Sequence, residues 1–249
     1  MHDIIILWSH PRSVSSAMER IMFERGDLTV FHEPFIYLYY LGDAKKVLKY
    51  FAPDPAHPTS YEDVRDMILA AGEKQPVFVK DMCYYLSDYI REDDAFVNRV
   101  CNTFLIRDPA KSIPSYYRLD DEVTLEEIGL EAQYRHFERV AQVTGRPPLV
   151  LDADDVQANT ESAMRVYCDA LDLEFLPHAL TWERTVPQAW QFVAGWHGDM
   201  EKTSGIGARE SGRTKEAITL DSAPQLRHYY EHHLPFYRAL REHRLDVPR

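Results

Sequence analysis

The sequence predicts an α/β fold, a doubly wound parallel sheet of about five strands flanked by helices, and three observations predict it. Short continuous apolar runs recur along the 249 residues. Between them lie segments whose apolar residues follow the spacing of one buried helix face. No Gly/Ser-rich linker, low-complexity tract or fixed-period repeat divides the chain, so residues 1–249 are expected to form a single domain.

Taken in order, Ile4–Trp8, Leu28–Phe31, Val77–Val79, Thr103–Ile106 and Leu149–Leu151 are continuous enough to be strands buried on both faces, as a parallel sheet requires. The first helix follows the first strand directly: Val14, Ala17, Met18, Ile21 and Met22 mark its buried face. Val64, Met67, Ile68 and Ala71 repeat that pattern after Ser60. Thr124-Leu125-Glu126-Glu127 is a capping box expected to open a long helix running to about Val143. Ser222-Ala223-Pro224-Gln225 opens the last helix, which should break or kink near Pro235, since proline lacks the N–H and clashes with the preceding turn.

Composition narrows the function classes. The 28 Lys and Arg stand against 40 Asp and Glu, a net charge of −12 that repels nucleic-acid backbones and anionic lipid surfaces. The apolar stretch near the start is far shorter than a bilayer span and follows no basic segment, so neither a membrane span nor a secretory signal is expected and the compartment implied is the cytosol. Cys83, Cys101 and Cys168 lie far apart without a Cys-x-x-Cys pair, which argues for reduced thiols rather than a disulfide framework or zinc site.

Doubly wound sheets bind ligands at the carboxyl ends of their strands. The first strand runs into His10-Pro11-Arg12-Ser13-Val14-Ser15-Ser16, the second ends at His32-Glu33-Pro34, the third at Lys80-Asp81 and the fourth at Arg107-Asp108-Pro109. Arg12, Lys80 and Arg107 would therefore gather on one sheet edge of an acidic chain, an arrangement suited to a polyanion. A short turn from strand into helix adds backbone N–H groups and the positive end of the helix dipole, to which the three serine hydroxyls contribute further donors. A phosphate-loop kinase or hydrolase would carry Gly-x-x-x-x-Gly-Lys-Ser/Thr here; this loop has neither the glycines nor the lysine.

Pro11-Arg12-Ser13-Val14-Ser15-Ser16 after a strand, together with Arg107-Asp108-Pro109 running to Ser115-Tyr116-Tyr117, resembles the two signature motifs of sulfotransferases that use 3′-phosphoadenosine 5′-phosphosulfate (PAPS). The resemblance implies a P-loop-like nucleotide-binding fold. It implies that Arg12, Ser13, Val14, Ser15 and Ser16 form the loop around the 5′-phosphosulfate and that Arg107 and Ser115 hold the 3′-phosphate. His32-Glu33-Pro34-Phe35 is similar to the element that supplies a catalytic glutamate in bacterial-type members, so Glu33 is the implied base. Other members use a histidine two residues after a lysine at the end of the third strand; Lys80 matches, but Met82 takes the histidine's place. Gly205–Lys215 is similar to the loop that closes over the nucleotide, which makes Arg209 and Arg213 further candidates. The family usually has glycine at Val14; a branched side chain is strained at positive φ, so the loop is expected to turn with negative φ there.

What the resemblance implies is in-line transfer of a sulfuryl group to a hydroxyl of a small organic acceptor, with Glu33 removing the proton, Arg12 stabilising the leaving phosphate and Lys80 assisting, without a metal. A phosphate-loop kinase or hydrolase and a non-catalytic nucleotide-binding protein of the same fold stand as alternatives. His228, His232 and His233 share a helix but lack a third ligand at motif spacing, and Asp152–Asp155 reads as a strand end capping a helix. Tyr37, Tyr39, Tyr40, Tyr84, Tyr85, Trp190 and Trp196 are read as core aromatics, those after the second and third strands lying toward the acceptor side.

Overall fold

A computed structural model describes residues 2–43, 49, 51–185, 187, 190, 192–193, 203–207 and 218–248. The five apolar runs form β1 (Ile4–Ser9), β2 (Thr29–His32), β3 (Val77–Met82), β4 (Cys101–Ile106) and β5 (Leu149–Asp152). They pair in parallel in the order β2-β3-β1-β4-β5. β3 extends past the expected Val79 to include Lys80, Asp81 and Met82. The chain turns to opposite sides of the sheet from β1, which puts a topological switch point at that strand's carboxyl end.

Alternation along β1 builds the two cores. Ile4, Ile6 and Trp8 pack into one cluster; Ile5 and Leu7 join the other, on the side of α1 (Ser15–Glu24). On the first side, α2 (Tyr61–Gly72) is capped by Ser60, whose hydroxyl accepts from Asp63 N at 3.2 Å. The short helices α3 (Ser87–Ile90) and α4 (Asp94–Arg99) lead into β4, and α5 (Pro109–Tyr117) follows it, capped by Asp108. After β5 come α7 (Ala153–Ala158) and α8 (Thr160–Ala170), with α6 (Leu130–Thr144) before it and α9 (Pro224–Arg241) last.

Two helix expectations are corrected. The capping box forms, Thr124 N donating to Glu127 Oε2 at 2.9 Å, but it closes only one turn, Glu126–Ile128, before Gly129 takes φ 81° and α6 begins at Leu130. Gly129 passes so close to the first loop that a Cβ there would lie 3.2 Å from His10 Cβ and from Tyr84 Cδ1. α9 runs on through Pro235, so of the expected break or kink the break does not occur. Pro235 and Glu231 are both exposed, so the missing rung of the hydrogen-bond ladder lies on the outer side of the helix.

The remaining polar features settle as structural. Asp152 caps α7, accepting from Asp154 N at 2.9 Å, and also accepts from Tyr237 Oη at 2.9 Å. His232 meets Glu131 at 2.7 Å and His233 meets the Leu125 carbonyl at 2.8 Å. All three cysteines are free thiols, Cys83 and Cys168 buried and Cys101 half-buried. Among the described residues no helix is long and apolar enough to cross a membrane.

Candidate active site

The turn from β1 into α1 takes an unusual path. Arg12 has φ 64° and Val14 φ 72°, both left-handed. The expectation of a negative φ at Val14 is therefore wrong. Val14 is the N-cap of α1, and its carbonyl accepts from Ala17 N at 3.0 Å and Met18 N at 3.2 Å while its side chain packs against the core beside α1. Helix start and packing together hold a conformation that costs such a residue on the order of 1–3 kcal/mol. Strain of this kind persists where surrounding structure over-determines it. Here it shapes a loop that opens on the N-terminus of a ten-residue helix, an environment favourable to anions.

The ends of β1 and β4 are stitched together across this turn. Arg107 donates from its backbone N to His10 Nε2 at 3.0 Å and from its guanidinium to the Arg12 carbonyl at 2.7 Å. Arg12 Nε donates to Ser115 Oγ, on α5, at 3.2 Å. Burial, with the charges of His233 and Arg107 adding to it, drives the His10 pKa down to about 3, so its ring is neutral and Nε2 can accept. The two cation-bearing loops thus form one surface although 95 residues separate Arg12 from Arg107.

A third group comes from the other side of β1. In the sheet register His32 lies beside Lys80, and Lys80 beside Leu7, so both polar side chains share the face covered by α1. Lys80 is fully buried and ion-paired with Glu33, which follows β2 in a left-handed conformation (φ 43°). Tyr85 Oη donates to the other Glu33 oxygen at 2.9 Å. Burial alone would raise the Glu33 pKa, but the Lys80 charge, His32 and the bonds from Lys80 and Tyr85 outweigh it and hold it below the ordinary carboxylate value. Behind Lys80 sits Glu19 of α1, fully buried, with Oε2 3.7 Å from Nζ.

These groups border a cavity of about 610 Å³, within the usual range for small-ligand sites. Arg12, Val14, Ser15, Ser16, Glu33, Arg107 and Ser115 line it. Ser13 is turned inward, its hydroxyl donating to the His10 carbonyl at 2.7 Å, and Lys80 reaches the cavity only through Glu33. Arg209, Arg213 and Trp196 lie outside the described residues, although Thr203, Gly205, Ile206 and Gly207 border the cavity just ahead of the two arginines. The apolar wall near Glu33 is built by Ile36, Tyr40, Met82, Tyr84, Tyr85 and Tyr116. Tyr40 and Tyr84 meet at 3.2 Å between hydroxyls, which fixes two of those rings.

Sequence reasoning missed His10, Glu19 and the role of Tyr85 beside Glu33. His32 was legible only as the neighbour of Glu33. Glu19 gave no signal at all, because a glutamate on an amphipathic helix ordinarily faces water.

The chain's similarity to known proteins follows the same lines. A family model described as a sulfotransferase domain matches residues 3–243. Two proteins of Arabidopsis thaliana, branched-chain-amino-acid aminotransferase-like proteins 2 and 1, are each 27% identical to it over 97% of the chain; the chain spans 42% of their length. Solved structures share the fold at low identity. The sulfotransferase domain from the curacin biosynthetic pathway matches with a TM-score of 0.51 at 13% identity, covering 88% of this chain and 95% of its own. A sulfotransferase from Alicyclobacillus acidocaldarius matches with a TM-score of 0.52 at 12% identity, over 98% and 97%.

Proposed function

The chain belongs to the sulfotransferase domain family, and from that premise we propose that it moves a sulfuryl group from PAPS to a hydroxyl of a small organic acceptor, with Glu33 as general base. The observation that carries this reading is a carboxylate, held by Lys80 and Tyr85, on the wall of the same cavity as Arg12, Arg107 and the N-terminus of α1. The donor set suits a dianionic nucleotide. Arg12, Ser15 and Ser16 would hold the 5′-phosphosulfate, Arg107 and Ser115 the 3′-phosphate, and the negative charge of Glu33 is already balanced by Lys80. The donor supplies the activated sulfuryl group.

The protein's own residues do the rest. Glu33 is ionised at neutral pH and can take the acceptor's proton; Arg12 faces the charge that builds on the leaving phosphate. The tyrosine-lined wall beside Glu33 offers flat apolar surface to an aromatic or alicyclic alcohol.

E33Q tests the assignment. The amide keeps the shape but cannot accept the proton, so turnover should fall by about 10²–10⁴-fold while adenosine 3′,5′-bisphosphate still binds. Turnover equal to that of the unaltered protein removes Glu33 as the base.

A further inference from the structure

Beneath the cavity lies a buried cluster of polar groups only part of which the proposed reaction uses. Lys80 bonds Glu33 on the cavity side and lies 3.7 Å from Glu19 on the other. Glu19 Oε2 is 2.6 Å from His32 Nδ1, and the far side of that ring, at Nε2, lies 4.0 Å from Glu33 Oε1 without bonding it. Trp190 Nε1 donates to the remaining Glu19 oxygen at 2.7 Å. Glu19 and Lys80 have no exposed surface, and His32 has almost none.

Burying a carboxylate inside a helix-covered core is expensive, and Lys80 already has a counter-ion in Glu33. A second carboxylate within reach of the same ammonium, held from three directions, is therefore a feature that the resting ion pair does not require. It becomes useful at one moment. In the transfer, a lone pair on the acceptor oxygen forms the new O–S bond and the acceptor's O–H bond breaks, its proton passing to Glu33. The S–O bond to the phosphate breaks with its electron pair staying on the phosphate oxygen. Glu33 is then neutral, and Lys80 has lost its nearest negative partner.

We propose that Glu19 is a positioning residue of this transfer: a reserve counter-ion that holds the Lys80 ammonium while Glu33 carries the acceptor's proton, with His32 and Trp190 fixing its carboxylate. The inference rests on the sulfuryl-transfer reading above. Burial pushes the Glu19 carboxyl up to about 7, with Lys80 and the Trp190 hydrogen bond working against that rise, so it stands ready to ionise when Lys80 turns to it. Burial, reinforced by Lys80, keeps His32 well below its ordinary pKa; the neutral ring can donate from Nδ1 to Glu19. The other titratable groups around Glu33 are Tyr85, which donates to it, and Asp81, whose oxygens accept from the Phe35 and Met82 amides and whose pKa burial raises.

E33Q reproduces the charge state that follows proton transfer, a neutral side chain at position 33. The test is a pH titration of the glutamate carboxyl carbons by ¹³C NMR in the unaltered protein and in E33Q, with the Glu19 resonance identified by its loss in E19Q or by its shift in W190F. In E33Q the Glu19 titration should move at least about one pH unit lower, because an opposite charge turned toward a carboxyl lowers its pKa by that much or more. An unchanged Glu19 titration overturns the proposal. In turnover with PAPS, E19Q should lower kcat by about ten- to a hundredfold with the affinity for adenosine 3′,5′-bisphosphate retained; unchanged kcat and pH profile would also overturn it. Should the unaltered protein transfer no sulfuryl group, the function above falls, whereas the titration in E33Q still decides whether Lys80 changes partner.

Discussion

Replacing Glu19 by Gln gives a stability change whose pH dependence can be worked out from the structure. Glu19 is fully buried, and burial, opposed by Lys80 and the Trp190 N–H, places its folded-state pKa at about 7 against an ordinary 4.5. Between those values the folded protein holds one more proton than the unfolded chain, so the contribution of Glu19 to stability falls as pH rises through this window. Taking about 1.4 kcal/mol for each pH unit, the contribution drops by about 2–3 kcal/mol between about pH 5 and about pH 8. Gln does not titrate. For a chain of 249 residues, 1 kcal/mol moves Tm by roughly 2–4 °C, so the Tm of the unaltered protein minus that of E19Q should be about 5–10 °C larger at pH 5 than at pH 8. Differential scanning calorimetry at the two pH values measures it. A Tm difference that stays constant would refute the argument, because it would mean that the carboxyl titrates alike in the folded and unfolded states.

Three further variants test the same geometry. K80M leaves Glu33 and Glu19 without their ammonium and should cost about 3–5 kcal/mol in denaturant unfolding at neutral pH, with part of the loss recovered in K80M/E33Q; a neutral K80M would show that the pair carries no stability. Y85F removes a donor to the ionised Glu33, so the Glu33 pKa should rise and the acidic limb of the kcat profile should move to higher pH, an unmoved limb contradicting the bond. Because Glu33 is held below its ordinary pKa, its stabilisation is present above that value and lost as pH falls, so the stability deficit of Y85F should be full at neutral pH and shrink as pH falls through the same window. G129A forces a Cβ to 3.2 Å from His10 and Tyr84 at φ 81° and should cost about 1–3 kcal/mol, read by calorimetry.

Much of this molecule was legible before any coordinates. The five strands are continuous apolar runs because a sheet covered on both faces leaves no polar side to alternate with, and the cations at the strand ends stood out against an acidic chain. The Thr124 box read correctly as a cap because capping is a local interaction. What sequence spacing did not carry was anything set by close approach of distant segments. Val14 takes a left-handed conformation against the preference of a branched residue, because the start of α1 and the core beneath it fix the turn. Gly129 interrupts a helix because the first loop passes beside it. Glu19 looks like a solvated helix position until β2, β3 and Trp190 bring His32, Lys80 and an indole N–H to it. Ser13 belongs to the motif yet spends its hydroxyl on the loop itself.

The proposed function requires that Arg12, Ser15, Ser16, Arg107 and Ser115 act as one anion-binding surface for a nucleotide carrying phosphates at both ends of its ribose. Isothermal titration calorimetry with adenosine 3′,5′-bisphosphate, and separately with ATP plus magnesium, tests it most directly. The bisphosphate should bind without metal, and R107A should weaken that binding at least tenfold by loss of a charge-assisted contact. Magnesium-dependent binding of ATP with none of the bisphosphate would contradict it.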